Sequence, residues 1–140
     1  MYLIDTNVIS EARKKSRANP GVIGFLAQVS RENQATYLSS ITIGELRRGL
    51  ELMQHRGDAD QSLTLQKWLD ILINQYRGNI LDFDLDAAQV WGRLRVPNSE
   101  NELDKQIAAI ALVHDLIVVT RNVNDFTSTG VKLFNPFTIS

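Results

Sequence analysis

The chain has 140 residues, 44% of them apolar, enough for one domain with a proper core, expected to occupy 1–140. A formal net charge of -1 excludes a global basic field for holding nucleic acid, so any polyanion must be met by local basic patches or through metal. With no cysteine there is no disulfide framework, zinc ribbon or thiol chemistry; the start Met1-Tyr2-Leu3-Ile4-Asp5 is no signal peptide, no stretch is long and apolar enough for a membrane, and a cytoplasmic protein is expected.

Residues 1–5 read as a short buried strand ending at Asp5, and Thr6-Asn7 start a helix with Val8, Ile9 and Ala12 on one face. After a polar loop over 16–20, a helix is expected over about 21–31, a strand over 35–39, and a long helix from Thr42 to about His55. Gly57-Asp58-Ala59-Asp60 breaks it. Leu65, Trp68, Leu69, Leu72, Ile73 and Tyr76 then repeat at helical spacing until Arg77-Gly78-Asn79. A strand over 80–83 precedes a helix over 85–95, which stops before Val96-Pro97. A helix over 103–114, a β-branched strand over 116–119 and an edge strand over 132–134 complete the pattern. Strands separated by helices predict a parallel α/β sheet with right-handed crossovers, whose ligands sit at the carboxyl ends of the strands.

Four acids far apart in the chain fall at element boundaries: Asp5 after the first strand, Glu45 near a helix start, Asp104 in a first helical turn, and Asp125 in the loop after the last long strand. Each has a plain structural reading. Asp5-Thr6-Asn7 are all N-cap types. Thr42-x-x-Glu45 reads as a capping box, with Thr42 as N-cap and Glu45 reaching back. Asp104 suits the helix macrodipole, and Asp125 suits a turn. Together the four suggest more, because carboxylates gathered from distant elements repel one another unless a cation compensates them. A set without His or Cys points to Mg²⁺ or Mn²⁺. Other motifs fail: Asp82 to Asp86 opens like a calcium loop, but its sixth position is Ala87 and its twelfth Arg93, and His55 and His114 stand alone.

At these residues the chain resembles a PIN domain, in particular the VapC/FitB-type toxins of bacterial toxin–antitoxin pairs. The resemblance rests on Leu3-Ile4-Asp5-Thr6-Asn7-Val8-Ile9-Ser10, Ile41-Thr42-Ile43-Gly44-Glu45-Leu46-Arg47-Arg48-Gly49, Asp104-Lys105-Gln106-Ile107-Ala108-Ala109 and Val119-Thr120-Arg121-Asn122-Val123-Asn124-Asp125-Phe126. The ending Leu133-Phe134-Asn135-Pro136-Phe137 fits the same branch. It implies a three-layer α/β/α sandwich with a mostly parallel sheet. It also implies Mg²⁺- or Mn²⁺-dependent cleavage of RNA, held in check by a cognate antitoxin, a small DNA-binding protein encoded nearby. Asp5, Glu45 and Asp104 match the first three acidic positions of the family. Some relatives carry an acid at the position of Asn122, others at that of Asp125, and Asp125 is the preferred fourth. Thr6 and Thr120 are expected to orient ligands or water, with Asn7 as a further supporting residue and Asn122 as a polar neighbour.

Arg13, Lys14, Lys15, Arg17, Arg47 and Arg48 are candidate RNA contacts, with a plain solvated basic face as the equal alternative. The apolar set Leu46, Leu50, Met53, Trp68, Leu72 and Tyr76 exceeds what a chain of this size buries, and a symmetric homodimer is expected. Two rivals remain. One is a phosphoaspartyl receiver or phosphatase using Asp5 and Mg²⁺, weakened because Thr120 is followed by Arg121 rather than a lysine. The other is a non-catalytic interaction module in which the acids are caps.

Overall fold

A computed structural model describes residues 1–138; of the unit expected over 1–140, residues 139 and 140 lie outside the described residues. The described strands are β1 (Tyr2–Ile4), β2 (Thr36–Ser39), β3 (Ile80–Leu81), β4 (Ile117–Val119) and β5 (Leu133–Phe134). The helices are α1 (Thr6–Ala12), α2 (Pro20–Arg31), α3 (Ser40–His55), α4 (Ala59–Gln75), α5 (Leu85–Leu94), α6 (Glu102–His114) and the short α7 (Val123–Phe126). All strand pairs are parallel, in the order β3-β2-β1-β4-β5.

Strand pleating divides the interior into two cores. Leu3 and Val118 are register partners, as are Ile4 and Val119. Consecutive side chains point to opposite faces of a sheet. Leu3 and Val118 therefore join Ala87, Phe126 and the Ile107–Ala111 run under α5, α6 and α7. Ile4 and Val119 join Val8, Phe25, Leu46 and Leu69 under α1 to α4. Helices on both faces of one parallel sheet make the three-layer α/β/α sandwich that the sequence predicts. In α6, Ala108, Ala109 and Ala111 are fully buried, and such small residues let that helix lie close to the sheet.

β1 is the centre of the sheet. The chain builds from it to β2 and β3 on one side, then crosses back to β4 and β5 on the other. Between β1 and β4 the winding reverses, and the carboxyl ends of two strands at such a point are where open α/β sheets form their ligand crevice. Asp5 follows β1 directly and Thr120 follows β4 directly.

Several boundaries differ from expectation. The capping box at Thr42 and Glu45 does not exist: α3 starts at Ser40, and the side chain of Ser39 accepts the Thr42 N–H at 3.0 Å. With Ser39 as N-cap, Glu45 lies more than a turn inside the helix, out of reach of the cap. α2 begins at Pro20, earlier than expected, because proline suits the first helical position and Asn19 caps it by accepting the Gly21 N–H at 2.9 Å. Asp125 sits within α7 rather than in an open loop. β3 has only two residues, shorter than the strand expected there.

Candidate active site

Asp5 is 3% exposed, and three donors meet its carboxylate. The Thr6 N–H donates to Oδ1 at 2.8 Å, and the Thr120 hydroxyl and the Asn7 amide donate to Oδ2 at 2.7 Å and 3.3 Å. The backbone is pinned as well, since the Asp5 N–H donates to the Val119 carbonyl at 2.9 Å. Thr120 is fully buried and saturated: it gives its proton to Asp5 and accepts from the Asn7 amide at 3.2 Å and the Asn122 N–H at 3.0 Å. Burial pushes the Asp5 carboxyl above its ordinary range, and the hydrogen bonds from Thr120 and Thr6 only partly offset that.

Glu45 is reached by a second chain of hydroxyls. The Thr6 hydroxyl donates to Glu45 Oε1 at 2.9 Å and lies 3.1 Å from the Thr42 hydroxyl, which lies 3.2 Å from that of Ser39. Each hydroxyl has one proton. An ionised Glu45 only accepts, so Thr6 spends its proton there, Thr42 supplies the next contact and Ser39 the last. The residue read as a helix cap is thus held by an oriented relay that starts at the true cap, Ser39. The Glu45 carboxyl is pushed up by burial and further by the charge of Asp5, against the lowering effect of Thr6.

Asp104 precedes Ile107 and Ala108, both fully buried, by three and four residues. Residues at that spacing share a helix face, so the face that seats α6 carries Asp104 toward the sheet. Its carboxyl is pushed up to about 6, first by burial, then by the charges of Asp5, Asp125 and Glu45. Four acids from four elements therefore share one field, and none of them forms an ion pair among the described residues. No three acidic, His or Cys side chains among the described residues close to the separation that would hold one metal ion. An uncompensated, all-oxygen donor set suits a hard cation that keeps several of its own waters and takes only one or two carboxylates directly.

The cations divide. Arg47 is drawn to α4, where it donates to Gln66 Oε1 at 2.7 Å. Arg13 stacks 5.7 Å from the Trp68 ring. Both Arg13 and Lys15 line a groove of about 430 Å³ whose walls, Leu26, Trp68 and Tyr76 among them, include none of the four acids. Lys14 is paired with Glu11 at 2.9 Å. Arg17 and Arg48 are exposed. Arg121, whose backbone is tied next to Asp5, is not among the sequence candidates. Its N–H donates at 3.1 Å to the same Asn7 whose amide bonds Asp5.

The chain belongs to the PIN domain family: the family model "PIN domain" matches residues 2–132. Toxin FitB of Neisseria gonorrhoeae is 32% identical over 142 residues, covering 98% of this chain and 99% of that protein. VapC ribonuclease Y4jK of Sinorhizobium fredii is 30% identical, covering 98% of each. Among solved structures, FitAB bound to an IR36 DNA fragment contains a chain that superposes with a TM-score of 0.85 at 30% identity, over 100% of this chain and 98% of that one.

Proposed function

We propose that this chain is a metal-dependent endoribonuclease and the toxin of a toxin–antitoxin pair, with its whole length as one unit. The observation that carries the reading is the convergence of Asp5, Glu45, Asp104 and Asp125 in one unpaired field at the β1/β4 crevice of a PIN chain. The relatives' names, a toxin and a ribonuclease, support it. A divalent cation, Mg²⁺ or Mn²⁺, would supply an activated water and neutralise charge on the leaving oxygen of a phosphodiester. Asp5 and Asp104 would hold it, with Glu45 and Asp125 adding charge.

The chain's own part is preorganisation. Thr120, Asn7 and the Thr6 N–H fix the Asp5 carboxylate in one orientation. The Ser39–Thr42–Thr6 relay does the same for Glu45. Held groups aimed at developing charge need no reorganisation during reaction. Attack by an external water leaves a 5′ phosphate on the downstream product and a free 3′ hydroxyl upstream. A cognate antitoxin and a homodimer complete the reading; the solved FitAB supports the first, and exposed apolar side chains on α4 are the ground for the second. The apolar surplus for such contacts is smaller than expected from sequence, because Leu46, Leu50 and Leu72 are core residues; Leu63 and Ile71 on α4 are exposed instead. Among the described residues no helix is long and apolar enough to cross a membrane.

The deciding experiment is cleavage of single-stranded or looped RNA with Mn²⁺ or Mg²⁺, with product ends identified. Activity abolished by chelator with 5′-phosphate products is expected; products ending in 2′,3′-cyclic phosphate sink the reading.

A further inference from the structure

An acidic crevice repels the polyanion it is proposed to cut, and a chain of net charge -1 has no global field to offset this. A local cation in fixed geometry is needed beside the acids. Arg121 stands on the flank of the site: its backbone follows Thr120 directly and its N–H is tied to Asn7, the residue bonded to Asp5, while its charge reaches Glu11 rather than the four acids. The side chain is exposed and forms no ion pair among the described residues. Its guanidinium lies 5.0 Å from the centre of the Phe137 ring. Stacking on an aromatic face holds the guanidinium plane while leaving its N–H edge free, the edge that meets phosphate oxygens in pairs. An unstacked surface arginine would lose much of its rotamer freedom on being fixed by a ligand.

The ring itself is held by the C-terminal segment. Asn19, the cap of α2, donates to the Thr138 carbonyl at 3.0 Å and accepts the Thr138 N–H at 3.0 Å. Phe137 packs against the core under α1 to α4. At Gly21 the Pro136 carbonyl comes so close that a Cβ would collide with it. Glu11 ties the cap in turn, accepting the Asn19 N–H at 2.8 Å, and the Arg121 charge is felt there: the Glu11 carboxyl is lowered first by the Lys14 hydrogen bond, then by Asn19, with smaller effects from the Lys14 and Arg121 charges.

We propose that Arg121 is an RNA-phosphate contact of this site, preset by Phe137 and the 135–138 segment to grip a phosphate flanking the one that is cut. The inference rests on the nuclease reading above. A flanking contact binds substrate and transition state alike, so its loss raises KM and leaves kcat nearly unchanged.

The test pairs Mn²⁺-dependent cleavage of a short single-stranded RNA with anisotropy of the same labelled RNA in chelator, where no turnover occurs. Arg121→Met should weaken binding and raise KM about tenfold, the scale of one charge-assisted hydrogen bond, and flatten the salt dependence by about 0.7 in slope. Arg121→Lys should recover only part of this, since lysine cannot stack and fork. Gly21→Ala, which displaces the segment without touching Arg121, should move in the same direction by a smaller factor. Lys67→Met, an exposed cation on α4, serves as the control and should match the parent. A parent that cuts while Arg121→Met keeps its affinity, salt slope and KM overturns this inference alone. A parent that neither binds nor cuts RNA overturns the nuclease reading, and this inference with it.

Discussion

The carboxylates of Asp5 and Asp104 belong to one site but are held in opposite ways. Asp5 is buried to 3% exposure and receives three hydrogen bonds from fixed donors. Asp104 is half-buried, and nothing but burial and three other carboxylates accounts for its shift. One is a socket completed by folding. The other is an unbalanced charge that folding places and leaves uncompensated. A group of the second kind costs stability, and under the proposed function a divalent cation would offset that cost.

The strongest way to break the comparison is to remove the socket. Asp5→Ala should reduce RNA cleavage by at least ~10²-fold, as removal of a positioned electrostatic group in an active site does. Asp5→Asn keeps the shape and should lose as much, with circular dichroism unchanged; cleavage persisting in both would end the role of Asp5. Next in size is the socket's wall. Thr120→Val leaves the Asn122 N–H without its acceptor, removes one of the two acceptors of the Asn7 amide and takes a donor from Asp5, so chemical denaturation should show a loss of about 1–3 kcal/mol. A neutral Thr120→Val would mean that water replaces the hydroxyl and that Asp5 is not rigidly held.

Asp125 tests the other half of the comparison. It adds charge to the field on Asp104, and no side-chain bond to it is seen among the described residues. Asp125→Ala should therefore slow cleavage by roughly tenfold, the scale of one charge–charge contact near a surface. A loss as deep as that of Asp5→Ala would make Asp125 a direct ligand and the two halves equivalent.

Much of this was readable in the sequence for a physical reason. Leu3-Ile4-Asp5 and Val118-Val119-Thr120 are apolar runs that end in polar groups, and a parallel sheet carries such ends to one edge. That rule reaches Asp5 and the loop of Asp125; Glu45 and Asp104 join them only through their places at helix starts and the resemblance to the PIN family, and the charges of all four meet in one field. What was not readable depends on contacts between distant segments. In sequence Thr42-x-x-Glu45 fits the capping pattern better than Ser39 does; only Thr6, at the start of α1, shows where Glu45 points. Arg47, next to the site in sequence, turns away because Gln66 of α4 offers a partner. Nothing in the sequence marks Arg121, because its partner ring, Phe137, comes from the other side of β5.

The smallest effect separates the two carboxylates by pH alone. In the metal-free protein Asp104 titrates at about 6 against an ordinary 3.8. Well below 3.8 it is protonated in folded and unfolded chains alike and contributes nothing to the difference. Between the two values the folded state holds the proton that the unfolded chain has lost, so unfolding free energy falls as pH rises. Above about 6 both states are ionised, and the full penalty stays. The raised carboxyls of Asp5 and Glu45 act in the same sense. Solvent screening at a half-exposed group keeps the Asp104 share on the order of 1 kcal/mol. Urea unfolding in chelator should thus find the parent less stable at neutral pH than near pH 4.5, and Asp104→Asn should flatten that slope and gain stability at neutral pH. Saturating Mn²⁺ should restore the parent at neutral pH and do much less for Asp104→Asn, because a ligand stabilises only the state that binds it. Parent and variant with parallel pH profiles would mean that Asp104 carries no unbalanced charge, and the contrast with Asp5 would disappear.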